Sequence, residues 1–85
     1  MYNISWEKKA RKQLARIGVQ ATRDEIYDSV ENLRDFPSVE NVKKLTNHSY
    51  GYRLRVGRYR VFFNFEDIVR IIHIEEVKKR DDRTY

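Results

Sequence analysis

Residues 51–65 read GYRLRVGRYRVFFNF, and apolar and polar residues alternate on both sides of the dipeptide Gly57-Arg58. Alternation with a period of two is typical of a half-buried β-strand, and a central dipeptide containing glycine predicts a tight turn. Glycine in the first position of a two-residue loop favours a type II′ turn. This stretch is therefore predicted to form a β-hairpin.

The predicted turn also sets the pairing across the hairpin. The residues opposite one another are then Val56 and Tyr59, Arg55 and Arg60, Leu54 and Val61, and Arg53 and Phe62. One face of the hairpin is apolar, and the other carries Arg53, Arg55, Arg60 and Phe62. Because like charges directly opposite one another destabilise a sheet, the Arg55/Arg60 pair indicates a bound polyanion that compensates for the repulsion.

Two amphipathic helices are predicted ahead of the hairpin, after a short strand at residues 2–4. The first is predicted to begin at Trp6 with Ser5 as its N-cap and to end at Gly18, because apolar residues recur every three or four positions. The second is predicted from about Arg23 to Asp35, after a capping-box pattern that starts at Thr22. The helices are predicted to pack Trp6, Leu14, Ile26, Val30 and Leu33 on Leu54, Val61 and Phe63 of the hairpin.

The remaining segments are a connection and a last strand. Residues 38–50 are predicted to connect the second helix to the hairpin with at most one helical turn of their own. Residues 68–74 are rich in β-branched side chains and are predicted to form a third strand of the C-terminal meander. A two-residue turn at Glu66-Asp67 would then place His73 opposite Arg60.

These elements predict an α+β fold. Their order is βααβββ, with a twisted antiparallel sheet and an αα-hairpin packed on its apolar face. A chain of 85 residues suffices for one domain, which is predicted to span residues 1–85.

Composition narrows the class of function. The formal net charge of +5 favours nucleic acid or an acidic protein as a partner. The absence of cysteine excludes a disulfide framework and a thiolate metal site, and no cofactor or metal is expected. No apolar run approaches the roughly 20 residues of a membrane span and the N-terminus lacks a signal-peptide pattern, so we expect a cytoplasmic protein without membrane contact.

The basic face of the hairpin is the strongest chemical signal in the sequence. Together with nearby residues it could grip successive phosphates of RNA and stack its bases, although arginines on an open sheet face can also be merely solvated. Metal-free RNA cleavage by 2′-OH attack needs positive donors for the phosphoryl oxygens, a base, and an acid. Arginine suits the first task and cannot act as the base, so lysine, histidine or tyrosine must transfer protons.

The pattern of residues 52–63, with Lys44-Leu45 ahead of it and Lys79-Arg80 and Tyr85 after it, resembles the RelE/ParE superfamily of bacterial type II toxins. The resemblance covers essentially the whole chain. It implies a small toxin that is neutralised by a cognate antitoxin wrapped around it. The RelE-like branch cleaves mRNA in the ribosomal A site, whereas the ParE-like branch poisons DNA gyrase.

The resemblance also assigns roles to individual residues. Positions that are basic or tyrosine in RelE-like nucleases match Arg53, Arg55, Arg60, Arg80 and Tyr85 here, with Lys79 as an alternative to Arg80. Strand positions that carry lysine in the best-known relatives are arginine in this chain. Either His73, Lys79 or Tyr85 takes over as the general base, or the activity is weaker or different. Additional RNA contacts are expected from Phe62, Lys78, Arg83 and Arg58.

Two functions follow as alternatives. The first is a ribosome-dependent mRNA endoribonuclease, which the basic residues at the outward hairpin positions favour. The second is a ParE-like poison that binds gyrase through helical and tail surfaces and does not cleave RNA.

Overall fold

The structure is a computed structural model, and it describes residues 1–80. Two α-helices and a 3-10 turn accompany five strands: β1 (Asn3–Trp6), α1 (Lys8–Ala15), α2 (Gln20–Glu31), the 3-10 turn (Asn32–Asp35), β2 (Val42–Lys44), β3 (Tyr52–Val56), β4 (Tyr59–Glu66) and β5 (Ile71–Lys79). The strands form one sheet in the order β1-β5-β4-β3-β2. The predicted α+β class is confirmed. No helix among residues 1–80 is long and apolar enough to cross a membrane.

The predicted hairpin is confirmed residue by residue. Strands β3 and β4 pair with Val56 opposite Tyr59 and Arg55 opposite Arg60, and the register continues unbroken to Tyr52 opposite Phe63. Gly57 has a φ of 55°, in the left-handed region that a type II′ turn requires at its first position.

The sheet is mixed and not wholly antiparallel, and it has one strand more than predicted. Strand β1 lies parallel to β5, with Ile4 opposite Ile72, whereas the other neighbouring strands are antiparallel. Strand β2 forms within the segment predicted as a connection. Its Val42 lies opposite Leu54, and its Lys44 lies opposite Tyr52.

Both helices begin differently from the predictions. Helix α1 starts at Lys8, because Trp6 still belongs to β1, and it ends at Ala15 before Gly18. Helix α2 starts at Gln20, so the capping-box pattern at Thr22 lies inside the helix. The N-cap position of α2 has no side-chain hydrogen bond. The predicted end at Asp35 is correct if the 3-10 turn is included.

The last strand lies in a different register from the one predicted. Strand β4 continues to Glu66, and the turn at residues 67–70 ends with Arg70 at a φ of 56°. Pairing between β4 and β5 then shifts at Phe62/Phe63, which makes Glu75 an extra, bulged residue of β5. His73 precedes the bulge and lies opposite Asn64 because the turn spans residues 67–70 and not Glu66-Asp67, so the prediction that it faces Arg60 is wrong.

One apolar core joins the helices to the sheet. The following residues are buried: Tyr2, Ala10, Ile26, Val30, Leu33, Phe36, Leu54, Val56, Val61, Phe63, Ile72, Ile74 and Val77. Of the predicted core, Trp6 and Leu14 are only partly buried, because they lie at the edge of this cluster. The alternation of the strands turns the remaining side chains to the opposite face of the sheet, here called the open face.

Candidate nucleic-acid interface

Three cationic side chains lie side by side on the open face. Arg60 of β4 is opposite Arg55 on one side and opposite Lys78 of β5 on the other. Neighbouring strands are about 5 Å apart, so Arg55, Arg60 and Lys78 form a compact row, here called the cationic row. No carboxylate occupies these three positions of the sheet. The row concentrates positive charge as a polyanion site would.

Two further arginines adjoin the cationic row. Arg53 lies opposite Phe62 on β4 and opposite Lys43 on β2. Its Nε is buried and has no hydrogen-bond partner among the described residues. Arg58 is exposed in the hairpin turn, and its carbonyl accepts a hydrogen bond of 2.7 Å from the backbone N–H of Arg80.

The guanidinium of Arg60 is held over the hairpin turn. Its Nη1 donates hydrogen bonds of 3.1 Å to the carbonyl oxygens of Gly57 and Tyr59. Such backbone acceptors orient the planar guanidinium. A fixed planar donor of this kind suits recognition of a phosphate.

Alternation along β5 places the candidate site residues Lys78 and Lys79 on opposite faces of the sheet. Lys79 lies opposite Tyr59, whose side chain packs against the core, so Lys79 belongs to the helix side of the sheet. Lys78, and not Lys79, therefore stands beside Arg60. The predicted site residues Arg83 and Tyr85 lie outside the described residues.

An aromatic cluster that the sequence did not reveal covers the next positions of the open face. His48 stacks on Phe62 with ring centroids 5.1 Å apart and an interplanar angle of 13°. Tyr50 contacts the same phenylalanine at 5.7 Å. His48, Tyr50 and Phe62 are here called the aromatic cluster. Phe62 is consequently partly buried, and one face of its ring is occupied by His48.

The loop that carries His48 and Tyr50 is anchored to the sheet. Asn64 accepts a hydrogen bond of 2.7 Å from the backbone N–H of Gly51 and donates one of 3.3 Å to Glu75 in the bulge. A Cβ atom at position 51 would lie 3.0 Å from the Asn64 side-chain oxygen, so glycine gives this close approach the room that a larger residue would crowd. The aromatic spacing of residues 48–52 was the only sequence signal for this arrangement.

Tyr50 is linked to helix α1 through a carboxylate. Burial and a hydrogen bond to Glu76 raise the pKa of the Tyr50 hydroxyl, so this group remains protonated and donates to Glu76. Lys9 lies 3.5 Å from the same carboxylate. Glu76 is thus occupied by two donors and holds the tyrosine in place.

His73 lies between two carboxylates at the other end of the open face. Its Nε2 is 2.5 Å from Glu66 and its Nδ1 is 3.3 Å from Glu7. The hydrogen bond to Glu66 is the main reason that the pKa of His73 is raised, and Glu7 adds to it. Its partner Asn64 is four residues from Arg60 along β4, or about 13 Å. The structure therefore does not bring His73 to the cationic row.

This arrangement predicts a pH dependence of stability. Histidine has a pKa of about 6.5 in an unfolded chain, and the folded value is higher. The stabilisation by His73 is therefore complete below about pH 6.5 and is lost as the pH rises through the folded pKa. We expect the free energy of unfolding of the wild type, relative to His73→Gln, to be largest at about pH 6 and to shrink by about pH 9.

Urea unfolding across this range measures the effect. Glu66→Gln removes the principal partner and should flatten the pH dependence in the same way. A His73→Gln variant that retained the wild-type slope would show that other groups are responsible.

Several solved structures with the same fold contain RelE toxins. The chain matches RelE of the archaeal RelE-RelB complex from Pyrococcus horikoshii OT3 with a TM-score of 0.79, at 24% identity over 95% of this chain and 97% of that one. It matches the isolated E. coli RelE toxin with a TM-score of 0.78, at 18% identity over 95% and 86%. The toxin-antitoxin complex RelBE2 from Mycobacterium tuberculosis gives 0.78, at 20% identity over 93% and 98%.

The family model described as the ParE toxin of the type II toxin-antitoxin system parDE matches residues 4–82. The chain therefore belongs to the RelE/ParE superfamily of type II toxins. A comparison with curated proteins finds no significant match.

Proposed function

We propose that this toxin is a ribosome-dependent mRNA endoribonuclease that acts in the cytoplasm on mRNA in the ribosomal A site. The observation that carries the proposal is the cationic row, in which Arg55, Arg60 and Lys78 occupy adjacent positions on three paired strands. Such a row has a cost in sheet stability that a bound phosphate backbone offsets. RelE, whose fold this chain shares, belongs to the nuclease branch of the superfamily.

The reaction is a transfer within the RNA strand. The 2′-oxygen attacks the adjacent phosphorus, the bond from phosphorus to the 5′-oxygen breaks, and a 2′,3′-cyclic phosphate remains. Arg55, Arg60 and Arg80 stabilise the charge that develops on the phosphoryl oxygens. Arg80 comes directly after β5. A base accepts the 2′-OH proton and an acid protonates the leaving 5′-oxygen.

Proton transfer is assigned to groups other than His73. His73 contacts two carboxylates and lies far from the cationic row, so we assign it a structural role. Tyr85 remains the proposed base, and Lys79 is not retained because it lies on the helix side of the sheet. Arg53, Arg58, Lys78 and Arg83 are proposed to contact the RNA backbone.

A gyrase poison is the second candidate function. The family model that matches residues 4–82 is that of a ParE toxin, and this observation favours it. In that case the helices and the tail would bind gyrase and the cationic row would have no RNA partner.

Primer extension on cellular mRNA after induction separates the two candidates. Discrete cuts within translated regions support the nuclease. Intact mRNA with accumulated gyrase-cleaved DNA would contradict it and support the poison.

A cognate antitoxin is the proposed protein partner, since related toxins have been solved in complex with RelB. Two surfaces suit it. One is the cationic row, which would attract carboxylates. The other is an apolar groove of about 270 Å³ lined by Trp6, Leu14, Tyr27 and the flanking Arg11 and Arg23, which would accept an amphipathic helix.

The salt dependence of antitoxin affinity tests which surface dominates. We expect the affinity to fall steeply between low and high ionic strength, because carboxylates of the antitoxin neutralise the cationic row and salt screens exposed charges. Calorimetric titration at several salt concentrations measures this. Near-constant affinity would contradict charge masking and indicate that the apolar groove dominates.

A further inference from the structure

We propose that the exposed face of the His48 ring stacks against a nucleobase of the mRNA and thereby helps to hold the A-site codon beside the cationic row. The proposal rests on the proposed nuclease function. It assigns a binding role to a loop residue that lies outside the hairpin and outside the predicted tail.

The aromatic cluster is built to present this ring. His48 is exposed, although one of its faces lies against Phe62 at 5.1 Å with nearly parallel planes. Stacking on a sheet residue fixes the orientation of a side chain that would otherwise rotate in solvent. The outer face of the ring then forms a flat surface, and a nucleobase offers the matching π-face.

Contacts with neighbouring residues of the sheet and of helix α1 hold the aromatic cluster in place. Tyr50 contacts both His48 and Phe62, and its hydroxyl donates to Glu76, which also contacts Lys9. The loop itself is anchored where Asn64 accepts a hydrogen bond from Gly51. A stacking surface that is ordered before binding loses less entropy when the base arrives.

The hydrogen bonding of His48 indicates stacking and donation, not base catalysis. The backbone N–H of Tyr50 donates to Nδ1 of His48 at 3.1 Å, so Nδ1 carries no proton in this arrangement. In the neutral ring the proton therefore resides on Nε2, which becomes a donor. A ring held in this tautomer has no free nitrogen lone pair to accept the 2′-OH proton.

The position of the cluster relative to the cationic row fits a strand of RNA. Phe62 is directly opposite Arg53 and two residues along β4 from Arg60, or about 7 Å. A nucleotide whose phosphate contacts Arg60 would find the aromatic cluster one row away on the same open face. No other group of three contacting rings is found on this face within residues 1–80.

The test uses intact toxin and ribosomes programmed with an mRNA whose A-site codon is one that primer extension shows to be cut. Single-turnover cleavage is compared for the wild type, His48→Ala and His48→Phe, with Ser49→Ala as a neighbouring exposed control. A second mRNA carries 2-aminopurine in that codon and a 2′-deoxy group at the scissile nucleotide, so that stacking is read as fluorescence quenching without cleavage.

We expect His48→Ala to lower the cleavage rate about tenfold to a hundredfold and to lose the quenching, as removal of one base-stacking ring does elsewhere. His48→Phe should retain both within severalfold, and Ser49→Ala should match the wild type. Normal cleavage and quenching by His48→Ala would overturn this inference alone. A wild type that failed to cleave mRNA on the ribosome would overturn the proposed function, and this inference with it.

Discussion

Replacing Arg60 by alanine should abolish growth inhibition while leaving the fold intact. Arg60 is the middle member of the cationic row, with Arg55 on one side and Lys78 on the other. Removal of a single donor to a developing charge typically lowers the rate about a hundredfold to a thousandfold. The side chain also donates to two carbonyl oxygens near the turn, at about 1 kcal/mol each, which a stable domain tolerates.

Two variants make the Arg60 result interpretable. Arg16→Ala removes the same charge from an exposed position next to helix α1 and should leave growth inhibition unchanged. Arg60→Lys retains the charge but not the planar donor pair, and should recover only part of the activity. Growth after induction and thermal unfolding of each purified variant are the measurements. Full toxicity of Arg60→Ala would show that the cationic row is only a solvated surface.

The sequence predicted the hairpin in full because its information is local. A period-two pattern and a glycine with positive φ together fix the register from Tyr52 to Phe63. The two helices and the burial of Ile26, Val30 and Leu33 followed from periodicity in the same way.

The incorrect predictions concern features that depend on distant partners. Strand β2 exists because the edge of β3 is available to it, and β1 is parallel because it joins the last strand of the chain. The position of His73 depends on how far β4 pairs with β5, which is as far as Glu66 opposite Ile71, and the register of β5 after Ile74 depends on the bulge at Glu75. His73 was therefore placed at the wrong end of the open face.

The candidate site was likewise predicted in part. Arg53, Arg55 and Arg60 lie on the open face because their positions follow from the hairpin register. The aromatic cluster could not be predicted, since His48 reaches Phe62 through a loop whose path depends on the hydrogen bond between Gly51 and Asn64. Loop positions of this kind are set by tertiary contacts and not by propensity.

Replacing Leu33 by alanine should lower the free energy of unfolding by about 2–5 kcal/mol. Leu33 is fully buried in the 3-10 turn that follows α2, and it belongs to the core that joins the helices to the sheet. Truncation removes apolar contacts and leaves a cavity that the surrounding strands fill only in part. Since domains are typically stable by about 5–15 kcal/mol, this loss would threaten the folded state of a small toxin.

Urea unfolding of Leu33→Ala measures the loss, in an Arg60→Ala background that permits expression. Asn32→Ala is the matched control, because Asn32 is exposed in the same 3-10 turn and should change the free energy by less than about 0.5 kcal/mol. Equal effects at the two positions would show that the 3-10 turn does not anchor the helices on the sheet. A large loss at Leu33 alone would show that the core around this residue stabilises the fold. Strands β3 and β4 contribute Leu54 and Val61 to that core and carry Arg55 and Arg60 on the open face, so the cationic row depends on the same packing.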